Sequence, residues 1–368
     1  MTGSTEALAA AAARAGAPAA GTAPGPASAA SGRLPDFFIV GHPKCGTTAL
    51  YEMLRRHPQI FMPELKEPVY FARELPRRAH RYRAPDTLEQ YAALFAPVRT
   101  GQLVGEASAS YLWSRTAARG IAALIPGARV VAILREPASF LRSLHLQCLQ
   151  SQYESERDLA TALALEDERR HGRRLPRRSR WPQVLLYSEH VRYVEQLRRY
   201  ERALGRERML VLVYDDFRRD NASVLREVLR FLGADETVAL AGIEANPTVA
   251  VRSRRLDDLL HAVSVGEGGG ARAVKGAVKA LVPRGARRGA LRAIRQRALY
   301  AAPPPADEEL MLQLRRRFAP EVAALGEYLG RDLTSLWGYG DLWAMGRPAT
   351  RDDRPATRDD HPAGTTAQ

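Results

Sequence analysis

Three short groups of residues in this chain carry side chains suited to handling anions or protons. The first is Gly41-His42-Pro43-Lys44-Cys45-Gly46-Thr47-Thr48. It follows the apolar run Phe37–Val40 and precedes Leu50, Met53 and Leu54 at helical spacing, which predicts a loop between a strand and a helix. Thr47 or Thr48 is the expected cap of that helix. Glycines let a backbone come close to an anion, and a helix N-terminus aims free N–H groups at it. Lys44 adds a point charge, and Thr47 and Thr48 add hydroxyl donors. The pattern differs from the G-x-x-x-x-G-K-[ST] nucleotide loop, because Lys44 comes two residues before Gly46 instead of directly after the glycine. A plain strand-to-helix turn is the alternative. It leaves the coincidence of lysine, glycine and two threonines unexplained.

The second group is Arg135-Glu136-Pro137, with Ser143 eight residues after the arginine. It ends the strongest apolar run, Arg129–Leu134, and Pro137 suits the first turn of a helix. Guanidinium and hydroxyl could hold one compact anion if the helix packs back across the strand end. A salt-bridged Arg135 and a surface Ser143 are an equally good reading of these residues alone. The third group is Lys66-Glu67-Pro68-Val69-Tyr70-Phe71. Glu67 could act as a general base, with Lys66 favouring its ionised form and Tyr70 and Phe71 anchoring the segment. In isolation, a surface charge pair ahead of a strand is the commoner outcome.

These groups need a scaffold. Phe37–Val40, Leu103–Glu106, Arg129–Leu134 and Met209–Tyr214 are strand candidates. Helices are expected after Gly46, from Pro137 to about Gln150, over Tyr187–Leu204, and over Ala222–Leu232 with Gly233 closing. Strands alternating with helices predict an α/β fold with a parallel sheet covered on both faces, which binds ligands at the carboxyl ends of its strands. Asp307–Trp337 is a further helix and closing segment, with Leu310, Leu314, Phe318 and Leu325 as core candidates. Residues 1–34 and 341–368 are expected to be disordered tails around a single domain over 35–340. The first is rich in Ala, Gly, Ser, Thr and Pro, and the second carries RPATRDD twice. The N-terminus lacks the basic start and the Leu/Val-rich core of a signal peptide.

At 45% hydrophobic and 26% charged, the composition is that of a soluble globular protein, and no apolar run approaches a membrane span. Cys45 and Cys148 are the only cysteines, which excludes a disulfide framework and a cysteine-rich zinc site. Cytoplasm is the expected compartment. The net charge of +14 is partly clustered. Arg169–Arg180 holds seven arginines and 271–297 holds nine lysines and arginines, neither with an acid. Such runs suit anionic partners or are simply solvated faces. The 271–297 run, inside a basic Gly/Ala-rich segment 262–305, has apolar positions at Val274, Val278, Leu281 and Leu291. A peripheral contact with an anionic membrane is therefore one expectation for it.

Together the three groups resemble the sulfotransferase family that uses 3′-phosphoadenosine 5′-phosphosulfate, and within it the heparan-type carbohydrate branch. That family's P-K-x-G-T-T, which binds the 5′-phosphosulfate, is matched by Pro43–Thr48, with Lys44, Cys45, Gly46, Thr47 and Thr48 on the donor. Its R-x7-S for the 3′-phosphate is matched by Arg135 and Ser143. Its K-E-P-x-F-F-like segment, which supplies the base, is matched by Lys66–Phe71. Gly105–Leu112 and Val211–Asp216 fit later strands and loops. Asn246 with Arg252, Ser253 and Arg254 looks like the loop that closes over the nucleotide.

The resemblance implies a P-loop-like single domain, Glu67 and Lys44 as catalytic residues, and no metal. It puts Lys66, Glu106, Ser108 and His145 on the acceptor side, with a small molecule or glycan as acceptor. His145 is the rival base. Where the branch often has a lysine after the Glu106 position, this chain has Ala107. A nucleotide-dependent kinase or NTPase is the alternative function. A nucleic-acid-binding protein is a third reading, disfavoured because Trp181 is the only aromatic beside either basic run.

Overall fold

A computed structural model describes residues 33–75, 84–176, 179, 182–238, 250–251, 300–301 and 304–340. Five strands form one parallel sheet: β1 (Phe37–Gly41), β2 (Ile60–Phe61), β3 (Leu103–Ala107), β4 (Arg129–Leu134) and β5 (Met209–Val213). Their spatial order is β2-β3-β1-β4-β5. Phe37 pairs with Gly105 on one side and with Arg129 on the other, so β1 is the middle strand. Its five residues are all buried. A strand covered on both faces needs such a continuous apolar run, which is why alternation is missing from its sequence.

Helices cover the sheet. In chain order they are α1 (Thr47–Arg55), α2 (Leu88–Ala92), α3 (Ala117–Leu124), α4 (Pro137–Gln150), α5 (Leu159–Ala164), α6 (Glu166–Arg170), α7 (Tyr187–His190), α8 (Tyr193–Leu204), α9 (Tyr214–Arg219), α10 (Asn221–Leu232), α11 (Glu308–Leu329) and α12 (Leu333–Leu336). Gly233 closes α10 in the left-handed conformation. Leu314, Phe318 and Leu325 of α11 are buried as expected, with Leu310 only partly so. A small antiparallel pair, β6 (Ala250–Val251) and β7 (Tyr300–Ala301), adds to the main sheet's surroundings. Among the described residues no helix is long and apolar enough to cross a membrane. Apart from Arg33 and Leu34, both expected tails lie outside the described residues. So do 271–297, Asn246, Arg252 and Arg254.

Chain direction makes the crevice. From β1 the chain moves to the β3 side of the sheet, and from β4 it moves to the β5 side. The loops after β1 and β4 thus part from each other at the carboxyl ends of two adjacent strands. An open parallel sheet takes its ligands at such a switch point.

Two expectations need correction. The single helix over Tyr187–Leu204 is two helices, broken at Val191–Arg192. The Gln196 side-chain amide donates to the carbonyls of Glu189 (3.0 Å) and His190 (3.1 Å), which satisfies the buried carbonyl end of α7 and makes the break tolerable. The arginines of 169–180 are likewise not one solvated face. Arg169 is buried and grips Glu154 through both terminal nitrogens, Nη1 to Oε2 at 2.7 Å and Nη2 to Oε1 at 2.8 Å. The Tyr187 hydroxyl donates to the same carboxylate at 3.0 Å. Burial tends to raise the Glu154 pKa, but the Arg169 bonds outweigh it and hold the group below its ordinary value. Arg177, Arg178 and Arg180 lie outside the described residues.

Removing one member of such a pair leaves a buried charge uncompensated. Arg169→Met should therefore lower unfolding free energy by about 3–5 kcal/mol in urea titration. Adding Glu154→Gln to it should restore part of that loss, because the glutamine carries no charge. A single variant within 1 kcal/mol of wild type, on the ordinary scale of surface changes, would contradict this account.

Candidate active site

The loop after β1 is held by backbone on both sides. His42 N–H donates to Ile133 O of β4 at 2.8 Å, and Leu112 N–H donates to Val40 O at 2.6 Å. Leu112 comes so close that a Cβ on Gly41 would lie 2.5 Å from its own Cβ, so only glycine fits. Gly46 stands at the cap position of α1 with φ +87°, and no side chain caps the helix. Neither Thr47 nor Thr48 is the cap, contrary to expectation. Gly46 takes the left-handed turn itself, leaving the first N–H groups of α1 without a side-chain acceptor. They form the anion-seeking end of a helix.

Lys44 also has positive φ, +64°, a conformation uncommon outside glycine. Cys45 is fully buried, and burial pushes its thiol up to about 12, so it offers the loop no thiolate.

His42 anchors this loop from below. Its Nε2 bonds Gln196 Oε1 at 2.6 Å, while the Gln196 amide nitrogen caps α7. Since that oxygen can only accept, Nε2 carries the proton in this arrangement. Burial, followed by the nearby His190, pushes the His42 pKa down to about 3, so the ring is neutral.

Arg135 arrives from the end of β4. Its Nη1 donates to the Lys44 carbonyl at 3.3 Å, and its Nε donates to Ser139 Oγ at 3.1 Å. The guanidinium lies over the Tyr214 ring, 4.9 Å from the centroid. The Tyr193 hydroxyl holds the Arg135 carbonyl at 2.9 Å. Burial and then the Arg135 charge lower the Lys44 pKa. Glu136 is the cap of α4, accepting from Ala138 N (3.0 Å) and Ser139 N (2.7 Å). Ser143 lies further along α4 and is buried.

The Lys66–Phe71 segment is irregular and crosses the end of β3. Lys66 Nζ pairs with Glu67 Oε1 at 2.9 Å, and the Glu67 side chain is 37% exposed, open to solvent. Glu67 and Val69 have φ of +61° and +53°, a strained pair that the surroundings must hold. Three donors dock it: Glu67 N to Ala107 O (2.9 Å), Val69 N to Ser108 Oγ (3.1 Å) and Phe71 N to the Tyr111 hydroxyl (3.2 Å). Tyr70 stacks on Tyr91 at 4.4 Å.

Glu106 lies at the centre of these supports. Its Oε2 accepts from the hydroxyls of Tyr91 (2.8 Å) and Tyr111 (2.9 Å), and its Oε1 is buried without a partner. Burial pushes its pKa up to about 7, with the Glu67 charge adding to the rise.

The fold thus joins Lys44 to Arg135 and Lys66 to Glu67. Glu106, Ser108 and His145, expected to face an acceptor, are all buried. Glu106 and Ser108 serve the docking of Glu67's segment. His145 bonds the Glu156 carbonyl at 2.8 Å, and burial lowers its pKa. Pattern reasoning missed Tyr214, Gln196 and the capping role of Glu136. The last had a visible signal, an acid directly before a proline that opens a helix. Among the described residues no group of three potential metal ligands occurs.

Known proteins bear on this geometry. Residues 35–118 match the model described as the sulfotransferase family. Human carbohydrate sulfotransferase 15 is 30% identical over 151 residues, 31% of this chain and 27% of that protein. Human bifunctional heparan sulfate N-deacetylase/N-sulfotransferase 3 is 30% identical over 207 residues, 55% of this chain and 22% of that protein. The chain thus spans about a quarter of the length of these curated relatives. A sulfotransferase from Alicyclobacillus acidocaldarius shares the fold, with TM-score 0.60 and 24% identity over 83% of this chain and 99% of its own.

The Glu106 pKa has a consequence for stability. It lies above the ordinary carboxylate value of 4.5, so between about pH 4.5 and 7 the folded chain holds a proton that the unfolded chain has released. This contribution is full below the unfolded value and is lost as pH rises to about 7. It should amount to about 3 kcal/mol, and Glu106→Gln should lack it. Thermal melts across that range should show wild type losing ground to the variant as pH increases. A constant offset between the two would show that Glu106 does not titrate there.

Proposed function

We propose that this chain, a member of the sulfotransferase family through residues 35–118, transfers a sulfuryl group from 3′-phosphoadenosine 5′-phosphosulfate to an acceptor hydroxyl or amine. One observation carries this reading. The Arg135 guanidinium bonds the Lys44 backbone carbonyl and its charge acts on the Lys44 ammonium where β1 and β4 end, near a helix N-terminus that no side chain caps. That combination suits a ligand with anionic groups at two ends. The carbohydrate acceptor is supported only by the names of the curated relatives.

The residues fit the donor as follows. Lys44, the N–H groups at the start of α1 and the hydroxyls of Thr47 and Thr48 hold the phosphosulfate end. Arg135 and Ser143 hold the 3′-phosphate, with Arg252 and Arg254 closing from beyond the described residues. When bound, the donor supplies an activated sulfuryl group and a bisphosphate leaving group. Lys44 would supply positive charge to offset the negative charge that builds as that group departs. Glu67 takes the proton of the acceptor's O–H or N–H as the acceptor atom bonds to sulfur. Lys66, paired with Glu67 at 2.9 Å, keeps that carboxylate aimed and stabilises its ionised form. No metal has a part in this scheme. The same reading puts the protein in the cytoplasm, with 271–297 as a peripheral contact for anionic lipid. Salt-sensitive sedimentation with anionic vesicles, lost on deleting 268–300, is the check on that contact.

Labelled donor with a panel of saccharide acceptors is the direct experiment. Lys44→Ala should lower turnover by roughly 10²–10³, and Glu67→Gln by roughly 10²–10⁴, the scales for losing one charge-stabilising donor and one general base. Adenosine 3′,5′-bisphosphate should bind near-normally to the Glu67→Gln protein. Wild type should prefer that bisphosphate to 5′-AMP, and Arg135→Ala should abolish most of the preference. Equal affinity of wild type for both nucleotides, or transfer from ATP with Mg²⁺, would refute the donor assignment.

A further inference from the structure

Two buried side chains near the end of the described chain have no part in the scheme above. Trp337, just past α12, donates its indole Nε1–H to Asp215 Oδ2 at 2.9 Å. Tyr339 is fully buried and donates its hydroxyl to Glu136 Oε1 at 2.5 Å. Buried indole and phenol groups need a polar partner, and any carbonyl could supply one. Here both partners are carboxylates, and each adjoins a residue that shapes the surroundings of Arg135.

Asp215 follows Tyr214, whose ring forms the shelf under the Arg135 guanidinium. Glu136 follows Arg135 itself and caps the turn whose Ser139 hydroxyl accepts from Arg135 Nε. One C-terminal stretch therefore fastens the shelf beneath the arginine and the turn beside it. Arg331 strengthens the hold by pairing with Asp216 through both terminal nitrogens. Without these ties, α9 and the start of α4 could shift separately, and the guanidinium rests on both.

We propose that Trp337 and Tyr339 are positioning residues for the 3′-phosphate site, acting through Asp215 and Glu136 on Arg135. Their effect is geometric: a charged group displaced by an ångström loses much of its hold on a compact anion. The inference rests on the donor reading above, in which Arg135 is the group that distinguishes a 3′-phosphorylated nucleotide from one without it.

Calorimetry with two probes separates the possibilities. The full chain, Trp337→Phe and Tyr339→Phe are each titrated with adenosine 3′,5′-bisphosphate and with 5′-AMP. Tyr339→Phe keeps the ring and removes only the hydroxyl donor, whereas Trp337→Phe removes the indole N–H together with one of the two fused rings, a loss of volume that the 5′-AMP titration controls for. Each should lower bisphosphate affinity by up to about tenfold, the scale of one buried hydrogen bond, while 5′-AMP affinity stays at the wild-type value. The selectivity ratio is the decisive quantity, because general loosening of the domain would weaken both nucleotides together. A parallel loss for both, or an unchanged ratio in both variants, would overturn the positioning role and leave the donor reading intact. A wild-type chain with no preference for the bisphosphate would overturn the donor reading and this inference with it.

Discussion

Two cationic residues held beside each other are an uncomfortable arrangement, and the loops after β1 and β4 serve to maintain one. The Arg135 guanidinium reaches the Lys44 backbone carbonyl at 3.3 Å, and its charge helps to lower the Lys44 pKa. Left alone, two such side chains would swing apart into solvent. Here Arg135 is held by a serine hydroxyl on one side and an aromatic face below. Lys44 is held by a backbone turn between a glycine that cannot carry a Cβ and one in the left-handed region. The repulsion is thereby kept in place instead of relaxing. His42 belongs to the same arrangement, since its bond to Gln196 ties the loop to the break between α7 and α8.

The opposite edge of the cleft solves the converse problem with acids. Glu67 and Glu106 lie near enough for one charge to raise the pKa of the other. The fold separates them by environment. Glu67 is half open and paired with Lys66, whereas Glu106 is enclosed and bonded by two phenols. The two carboxyls therefore lie in different surroundings without any difference in residue type. The supports of Glu106 also clamp the strained backbone at Glu67 and Val69. A side chain on an irregular segment can be aimed only if something rigid holds the segment, and here that is the end of β3.

The parts legible in the sequence were those decided locally. The apolar run of β1, the glycine-lysine loop, the Arg129–Leu134 strand and the Pro137–Gln150 helix follow from composition over a few neighbouring residues. The break at Val191 was hidden, because periodicity continues through it and only the distant partners of Gln196 reveal it. Arg169 was hidden for the same reason. It opens the basic run, next to Arg170, but its partner Glu154 comes from an earlier loop. The Gly46 cap was missed because threonine is the commoner cap, and the need for a left-handed turn there is visible only in the backbone. Tyr214 passed as the last residue of a strand. It begins a helix instead, and that turn brings its ring under Arg135.

The position of β1 has a consequence for how the chain must be made. Among the described residues it is the first strand in sequence and the middle one in the sheet, and both its neighbours, β3 and β4, come later. During synthesis, Phe37–Gly41 therefore emerges with two open edges and two uncovered apolar faces. Parallel pairing demands distant partners, and unpaired apolar strands are prone to associate with other chains while they wait. The segment that leads into the Gly41–Thr48 loop thus waits longest for its second neighbour, because β4 begins only at Arg129.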